Sequence, residues 1–169
     1  MSLISHLVCA LSLVVFYILQ TTVFSRITLI AGTADLVLLF LIAWSLQEEV
    51  KNTWLWTAVA GVLISLISAM PFFAPLIGYL GVVGLSKLLQ RRVWRIPILA
   101  MFIVTLLGTV FQQVVYVISL QVQGAPISWS QSFDAVLLPS ILLNLIFALP
   151  IYAIANDLVG RIYPLEVET

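Results

Sequence analysis

Residues 96–120 read IPILAMFIVTLLGTVFQQVVYVISL and contain no charged side chain, and directly before them residues 87–95 read KLLQRRVWR. The apolar run is long enough to cross the hydrocarbon core of a bilayer as one helix. An ionised side chain at the bilayer centre costs roughly 3 kcal/mol, so charges collect at the ends of such runs. This pairing of an uncharged run with a basic border indicates an integral membrane protein.

The rest of the chain repeats this pattern. Of its 169 residues, 63% are hydrophobic and 8% are charged. This composition has too few polar residues to cover the surface of a soluble globular protein. Six apolar runs, at residues 3–19, 33–46, 54–70, 76–89, 96–120 and 135–155, predict a single integral membrane domain over residues 1–169. The predicted fold is all-α, a polytopic bundle of six transmembrane helices. Residues 71–75, PFFAP, form an uncharged turn, which leaves open a hairpin that re-enters the membrane without crossing it.

The basic residues give the orientation of the bundle, because short loops rich in Lys and Arg stay on the cytoplasmic side. Six of the seven fall on the side of the N-terminus if the runs cross in turn: Lys51, Lys87, Arg91, Arg92, Arg95 and Arg161. Arg26 falls on the other side. We therefore expect a multi-pass protein with both termini in the cytoplasm. The seven acidic and seven basic residues cancel, so net charge indicates no nucleic-acid partner.

The 87–95 segment is the most basic part of the chain. Lys87, Arg91, Arg92 and Arg95 are candidates for binding anionic lipid headgroups, at about 1 kcal/mol each. An acidic protein tail is the alternative partner for this segment.

Several polar residues lie at or near membrane depth. Asp35 directly precedes the second run, where it can cap the helix and complement its dipole, or pair with a basic residue such as Arg26 or one from another subunit. Gln112 and Gln113 are adjacent on one helix and point about 100° apart, so at least one should face protein. Asn144 is expected to hydrogen bond across helices, at about 1 kcal/mol.

Glycines and loops add two further expectations. Gly78, Gly81 and Gly84 recur every third residue in the fourth run, and with Gly61 they predict close helix packing, within the chain or against a partner. The segment at residues 20–34 should lie on the membrane surface or fold over the helix ends. Gly124 marks a turn in the polar segment at residues 121–134.

No catalytic constellation is present in the sequence. The chain has one histidine, His6, and one cysteine, Cys9, and it lacks a G-x-S-x-G site and a phosphate-binding loop. We therefore expect no catalytic, cofactor-binding or metal-binding residues and no enzymatic activity.

The order of several short motifs resembles that of the MreD family, the small membrane component of the bacterial rod-shape machinery. Gln20 closes the first run, and Gly32 lies in the loop before Thr33-Ala34-Asp35-Leu36, which opens the second. Gly61 lies in the third run, and Gly78-Tyr79-Leu80-Gly81 opens the fourth. Together with the polar residues and glycines described above, these motifs give the candidates for helix packing or partner contact: Gln20, Asp35, Gly61, Gly78, Tyr79, Gly81, Gly84, Gln112, Gln113 and Asn144.

This resemblance implies a non-enzymatic scaffold in the bacterial inner membrane. It implies a single-span MreC-like partner and, through it, a RodA-type glycosyltransferase and a class B penicillin-binding protein. It also implies a fold similar to the S component of energy-coupling factor transporters. A vitamin-binding S component is the alternative function, with the loop after the first run as a lid. Small residues four apart on the first helix, typical of such subunits, are missing: His6 and Val14 stand four positions from Ala10.

Overall fold

The computed structural model describes residues 3–26, 28–90 and 96–163, and its architecture is all-α. The helices are α1 (Leu3–Thr22), α2 (Leu36–Ser45), α3 (Thr53–Ile67), α4 (Phe73–Gln90), α5 (Pro97–Val122), α6 (Trp129–Ser132) and α7 (Leu138–Ile162). A π-helical turn, Phe133–Leu137, joins α6 to α7. Apart from the one-turn α6, these are the six helices that the apolar runs predict.

Four of the helical segments are long and apolar enough to cross a membrane: Ile4–Thr22, Phe73–Gln90, Pro97–Val122 and Phe133–Ile162. The chain is therefore a multi-pass membrane protein. The other two helices are shorter, with 10 residues in α2 and 15 in α3. At about 1.5 Å per residue they fall short of a hydrocarbon core about 30 Å thick.

Helix α2 occupies the centre of the bundle, packed against α1, α4 and α7. All ten of its residues are buried. The ring centroid of Phe40 lies 4.9 Å from that of Phe16 in α1 and 5.4 Å from that of Trp44 in α2, so the three rings stack. A helix that is apolar on every side can be surrounded by protein or by lipid. Its short length is accommodated here because the longer helices α1, α4 and α7 surround it.

Most predicted helix boundaries differ from the structure by a few residues, and two of the differences have a clear physical cause. Helix α2 begins at Leu36 rather than at residue 33, because Asp35 caps it. The turn predicted at residues 71–75 lies a few residues earlier, since α3 ends at Ile67 and α4 begins at Phe73. Pro75 lies in the first turn of α4, where a proline is tolerated because the N–H groups of that turn have no helical acceptor.

The start of α1, the end of α7, the loop before α3 and the end of α4 lie at one end of the bundle, which we call the basic end. Tyr163 donates a hydrogen bond to Ser5 Oγ (2.9 Å), which joins the end of α7 to the start of α1. Lys87 Nζ donates to the carbonyl of Val50 (3.4 Å), so the end of α4 meets the loop before α3. These contacts match the grouping of basic residues in the sequence. Arg91, Arg92 and Arg95 lie outside the described residues.

The loop before α2 folds over the opposite end of the bundle, which we call the cavity end. Ala31 N–H donates to the carbonyl of Ala135 (3.1 Å), and Thr33 N–H donates to Ser140 Oγ (3.2 Å). Gly32 allows this contact, because a Cβ there would lie 2.7 Å from the backbone nitrogen of Ser140. The described part of residues 20–34 therefore folds over the helix ends, which is one of the two arrangements expected from the sequence.

The glycines of α3 and α4 pack within the chain. A Cβ at Gly78 would lie 3.3 Å from Gln112, and one at Gly81 would overlap the ring of Phe111, so this face of α4 approaches α5. A Cβ at Gly61 would lie 2.9 Å from Leu76 of α4, and one at Gly84 would lie 3.4 Å from the Trp54 side chain of α3.

Candidate functional site

Asp35 lies at the start of the buried helix α2 and caps it. Its Oδ1 accepts a hydrogen bond from Leu38 N–H at 2.9 Å, which satisfies one of the N–H groups that a helix start leaves without a partner. The predicted capping role is confirmed. The alternative, an ion pair with Arg26, does not occur, since the salt bridge present among the described residues joins Arg161 to Asp157.

Side chains from α4 and α5 surround the carboxylate of Asp35. The hydroxyl of Tyr79 lies 2.9 Å from Oδ2 and 3.1 Å from Oδ1. Gln112 Nε2 donates to Oδ2 at 2.9 Å and to the hydroxyl oxygen of Tyr116 at 2.9 Å. Every one of these donors is a neutral group, so the carboxylate is hydrogen bonded without a neighbouring positive charge.

Two amide side chains extend the network to α7 and α1. Asn144 Oδ1 accepts from Asp35 N–H at 2.9 Å, and its Nδ2 donates to Thr109 Oγ1 at 3.0 Å. Gln20 Oε1 accepts from Val37 N–H at 3.0 Å. Groups from α1, α4, α5 and α7 thus converge on the N-terminus of α2. The expected interhelical bond of Asn144 is confirmed.

A cavity of about 460 Å³ opens beside this network at the cavity end. Its lining combines nine side chains that carry hydrogen-bonding groups with six apolar ones. The residues are Thr33, Asp35, Met70, Thr109, Gln112, Gln113, Tyr116, Val117, Leu120, Ile127, Ser132, Ala135, Val136, Ser140 and Asn144. Among the residues that the structure describes, Asp35 is the one acidic or basic side chain in this lining, so the negative charge of the lining is concentrated at one point.

The structure brings together five of the residues singled out in the sequence. Gln20, Asp35, Tyr79, Gln112 and Asn144 belong to one network, although up to 124 positions separate them in the chain. Each carries a polar side chain at membrane depth, where such a group requires a partner. Their convergence depends on how the helices pack.

The other candidates lie elsewhere. Gln113 lines the cavity, and Gly78 and Gly81 pack α4 against the Gln112 region of α5. Gly61 and Gly84 lie at the contact of α3 with α4. Lys87 lies at the basic end, where its Nζ is bonded to Val50 and Gln90.

Sequence reasoning did not single out five polar residues of the cavity lining: Thr33, Thr109, Tyr116, Ser132 and Ser140. A signal for two of them was available, because residues 109, 112 and 116 are three and four positions apart and share one face of a helix. No comparable spacing indicates Ser132 or Ser140, which reach the cavity because the π-helical turn and α7 pack against α5.

The chemistry that this site offers is hydrogen bonding around one acid. Within residues 3–26, 28–90 and 96–163, no group of three or more His, Cys, Asp or Glu side chains is placed to hold a metal ion. No family model, no curated protein and no solved structure matches the chain.

Proposed function

We propose that this chain is a non-enzymatic membrane adaptor of the MreD type, which holds together components of the bacterial cell-wall elongation machinery. One observation carries the proposal. Gln20, Asp35 and Tyr79, which belong to the motif order that resembles this family, participate in a single network around the start of α2. The convergence supports reading the separate motifs as one structural signature.

The character of the network supports a scaffolding role. Gln20, Tyr79, Gln112 and Asn144 direct hydrogen bonds to groups at the start of α2, and so fix the positions of α1, α4, α5 and α7 around it. A set of helices held in this way presents a constant surface to a partner, since the free energy of interhelical bonding is used inside the bundle.

The surface offered to a partner within the membrane is apolar. Leu11 of α1, Leu66 of α3 and Ile146 of α7 expose 67%, 68% and 56% of their area. In lipid, helices associate through close packing rather than through burial from water. A single-span MreC-like helix is the proposed partner, with a RodA-type glycosyltransferase and a class B penicillin-binding protein reached through it.

The orientation in this proposal follows from the basic end. Lys51, Lys87 and Arg161 belong to this end, and we propose that it faces the cytoplasm of a bacterium, with Lys87 close to lipid headgroups. The protein is then a multi-pass component of the inner membrane with both termini inside. Helices α2 and α3 complete six passes with the help of the loops at their ends.

Co-purification from mild detergent with an MreC-like protein of the same organism tests the adaptor function. An unrelated single-span protein expressed at the same level is the control. Retention of the MreC-like protein alone supports the proposal, and complete separation while both proteins stay folded contradicts it.

Cysteine cross-linking then identifies the contact face. Leu11→Cys, Leu66→Cys and Ile146→Cys place a thiol on three different exposed faces, while the native Cys9 is fully buried and serves as an unreactive background. A cross-link from one face, absent from the other two, identifies the helix that contacts the partner.

The cavity favours a second candidate function, a vitamin-binding S component of an energy-coupling factor transporter, whose fold is proposed to be similar. A site of about 460 Å³ lies within the size range of small-molecule pockets, and the loop containing Thr33 lies at its edge. Mass spectrometry of the denatured protein distinguishes the two functions: a stoichiometric small molecule supports the S component, and its absence together with partner retention supports the adaptor.

A further inference from the structure

We propose that the cavity beside Asp35 is a binding site for a small organic ammonium ion, that is, a protonated amine attached to an apolar body. This inference does not rest on the adaptor function, because the cavity is formed by one chain. It narrows the second candidate function by naming the chemical class of the ligand.

The charge of the cavity lining indicates the charge of its ligand. Asp35 is the single charged side chain among the described residues of the cavity lining, and Leu38 N–H, Tyr79 and Gln112, which bond to it, are neutral donors. A carboxylate in a low-dielectric setting attracts a cation far more strongly than it does in water. The described part of the chain contributes no basic residue to the lining, so a ligand can supply the positive charge.

Two side chains of the cavity lining can form hydrogen bonds to a ligand. Ser132 is buried, with 6% of its area exposed, and its hydroxyl lines the cavity without an intramolecular partner among the described residues. The half-buried amide of Gln113 lines the same space and likewise forms no hydrogen bond within the described part of the chain. Buried polar groups normally have partners, so both groups are available to a ligand.

The apolar side and the volume of the cavity indicate the shape of the ligand. Met70, Val117, Leu120 and Ile127 give the cavity an apolar side, and a volume of about 460 Å³ exceeds the space that a bare metal ion needs. The lining therefore fits an ammonium group near Asp35 and an apolar portion against the aliphatic side chains.

Three probes of nearly equal size test the role of charge: 2-phenylethylammonium, neutral 2-phenylethanol and anionic phenylacetate. Calorimetric titration uses the full chain in phosphatidylcholine nanodiscs, with empty discs to correct for partition into lipid. We expect the ammonium probe to bind at least about tenfold more tightly than either of the others, since charge-assisted hydrogen bonds are roughly twice as strong as neutral ones. Equal affinity for the neutral probe overturns the proposal.

Two variants locate the site. Asp35→Asn removes the charge and keeps an efficient N-cap residue, and we expect about tenfold weaker binding of the ammonium probe. Val136→Phe fills the cavity without changing the carboxylate and should weaken binding by a similar factor. Leu142→Phe, at an exposed position of α7, is the matched control and should bind like the native chain. Unchanged affinity in Asp35→Asn or Val136→Phe refutes the assignment.

The source of the ammonium group is resolved by repeating the titration in phosphatidylethanolamine nanodiscs. Competition by this lipid supports the ammonium site with a lipid as its natural source, and undiminished binding supports it with a free amine. If neither variant folds, the selectivity of the native chain among the three probes decides the outcome. No partner protein enters these measurements, so their result is separate from that of the co-purification experiment.

Discussion

Replacement of Asn144 by leucine tests whether the network holds the bundle together. Asn144 is 1% exposed, and its side chain joins the backbone N–H of Asp35 at 2.9 Å to the hydroxyl of Thr109 at 3.0 Å. Leucine is similar in size and forms neither bond. Thr109 keeps its own bond to the carbonyl of Thr105 at 2.7 Å, so the main loss is the acceptor for the Asp35 N–H.

The magnitude follows from that loss. A buried donor left without a partner costs about 1–3 kcal/mol, and interhelical hydrogen bonds in membrane proteins contribute about 0.6 kcal/mol on average. We therefore expect Asn144→Leu to lower the free energy of unfolding by roughly 1–3 kcal/mol, with the low end applying if a nearby carbonyl or water reaches the freed N–H.

Equilibrium unfolding in mixed micelles with increasing dodecyl sulfate, followed by circular dichroism, measures this change. Asn156→Leu is the matched control, because Asn156 lies on the same helix and is exposed, and the same substitution there should change the free energy by less than about 0.5 kcal/mol. If Asn144→Leu unfolds within about 0.5 kcal/mol of the native chain, the network does not determine stability and the reasoning is refuted.

Three further predictions concern packing, hydrogen bonding and orientation. Gly32→Ala should destabilise the bundle by about 1–3 kcal/mol, because the added Cβ would lie 2.7 Å from the backbone nitrogen of Ser140. Gly160→Ala is the control and should be neutral or slightly stabilising, because nothing lies within 4 Å of the added Cβ. Equal unfolding midpoints for the two variants would contradict this prediction. Tyr79→Phe should cost about 1–2 kcal/mol in the same assay, because it removes the hydroxyl that lies 2.9 Å from the Asp35 carboxylate, and an unchanged midpoint would exclude that bond as a stabilising contact. Alkaline phosphatase fused after residue 124 should be active and after residue 51 inactive, and the reverse pattern would invert the proposed orientation.

Much of the architecture follows from the position of charge alone. The apolar runs predict the six long or medium helices, and the distribution of Lys and Arg predicts which helix ends lie together. Both follow from one physical cost, the transfer of an ionised group into hydrocarbon, which depends on residue type and hardly on neighbours. Transfer of an uncharged amide into hydrocarbon also costs free energy, so Gln112 and Asn144 are recognisable as exceptional from their positions in the sequence, as Asp35 is.

The cost of transferring an ionised group into hydrocarbon does not predict how the helices are arranged. The run LVLLFLIAWS of α2 is apolar on all sides, and lipid and protein interior are equally good surroundings for it, so the sequence does not indicate that it lies at the centre. The turn at residues 71–75 was misplaced because proline is compatible both with a turn and with the first turn of a helix. These choices depend on contacts between segments distant in the chain.

The sequence by itself therefore determined the membrane class of this protein, the approximate extent of its helices and the identity of its exceptional polar residues. Tertiary structure alone decided that Gln20, Asp35, Tyr79, Gln112 and Asn144 share one hydrogen-bonding network, and that a cavity opens beside it. The reason is that avoidance of hydrocarbon is a property of each residue, whereas a hydrogen bond has a direction and a length of about 3 Å. Only the packed helices bring donors and acceptors from five segments within that distance.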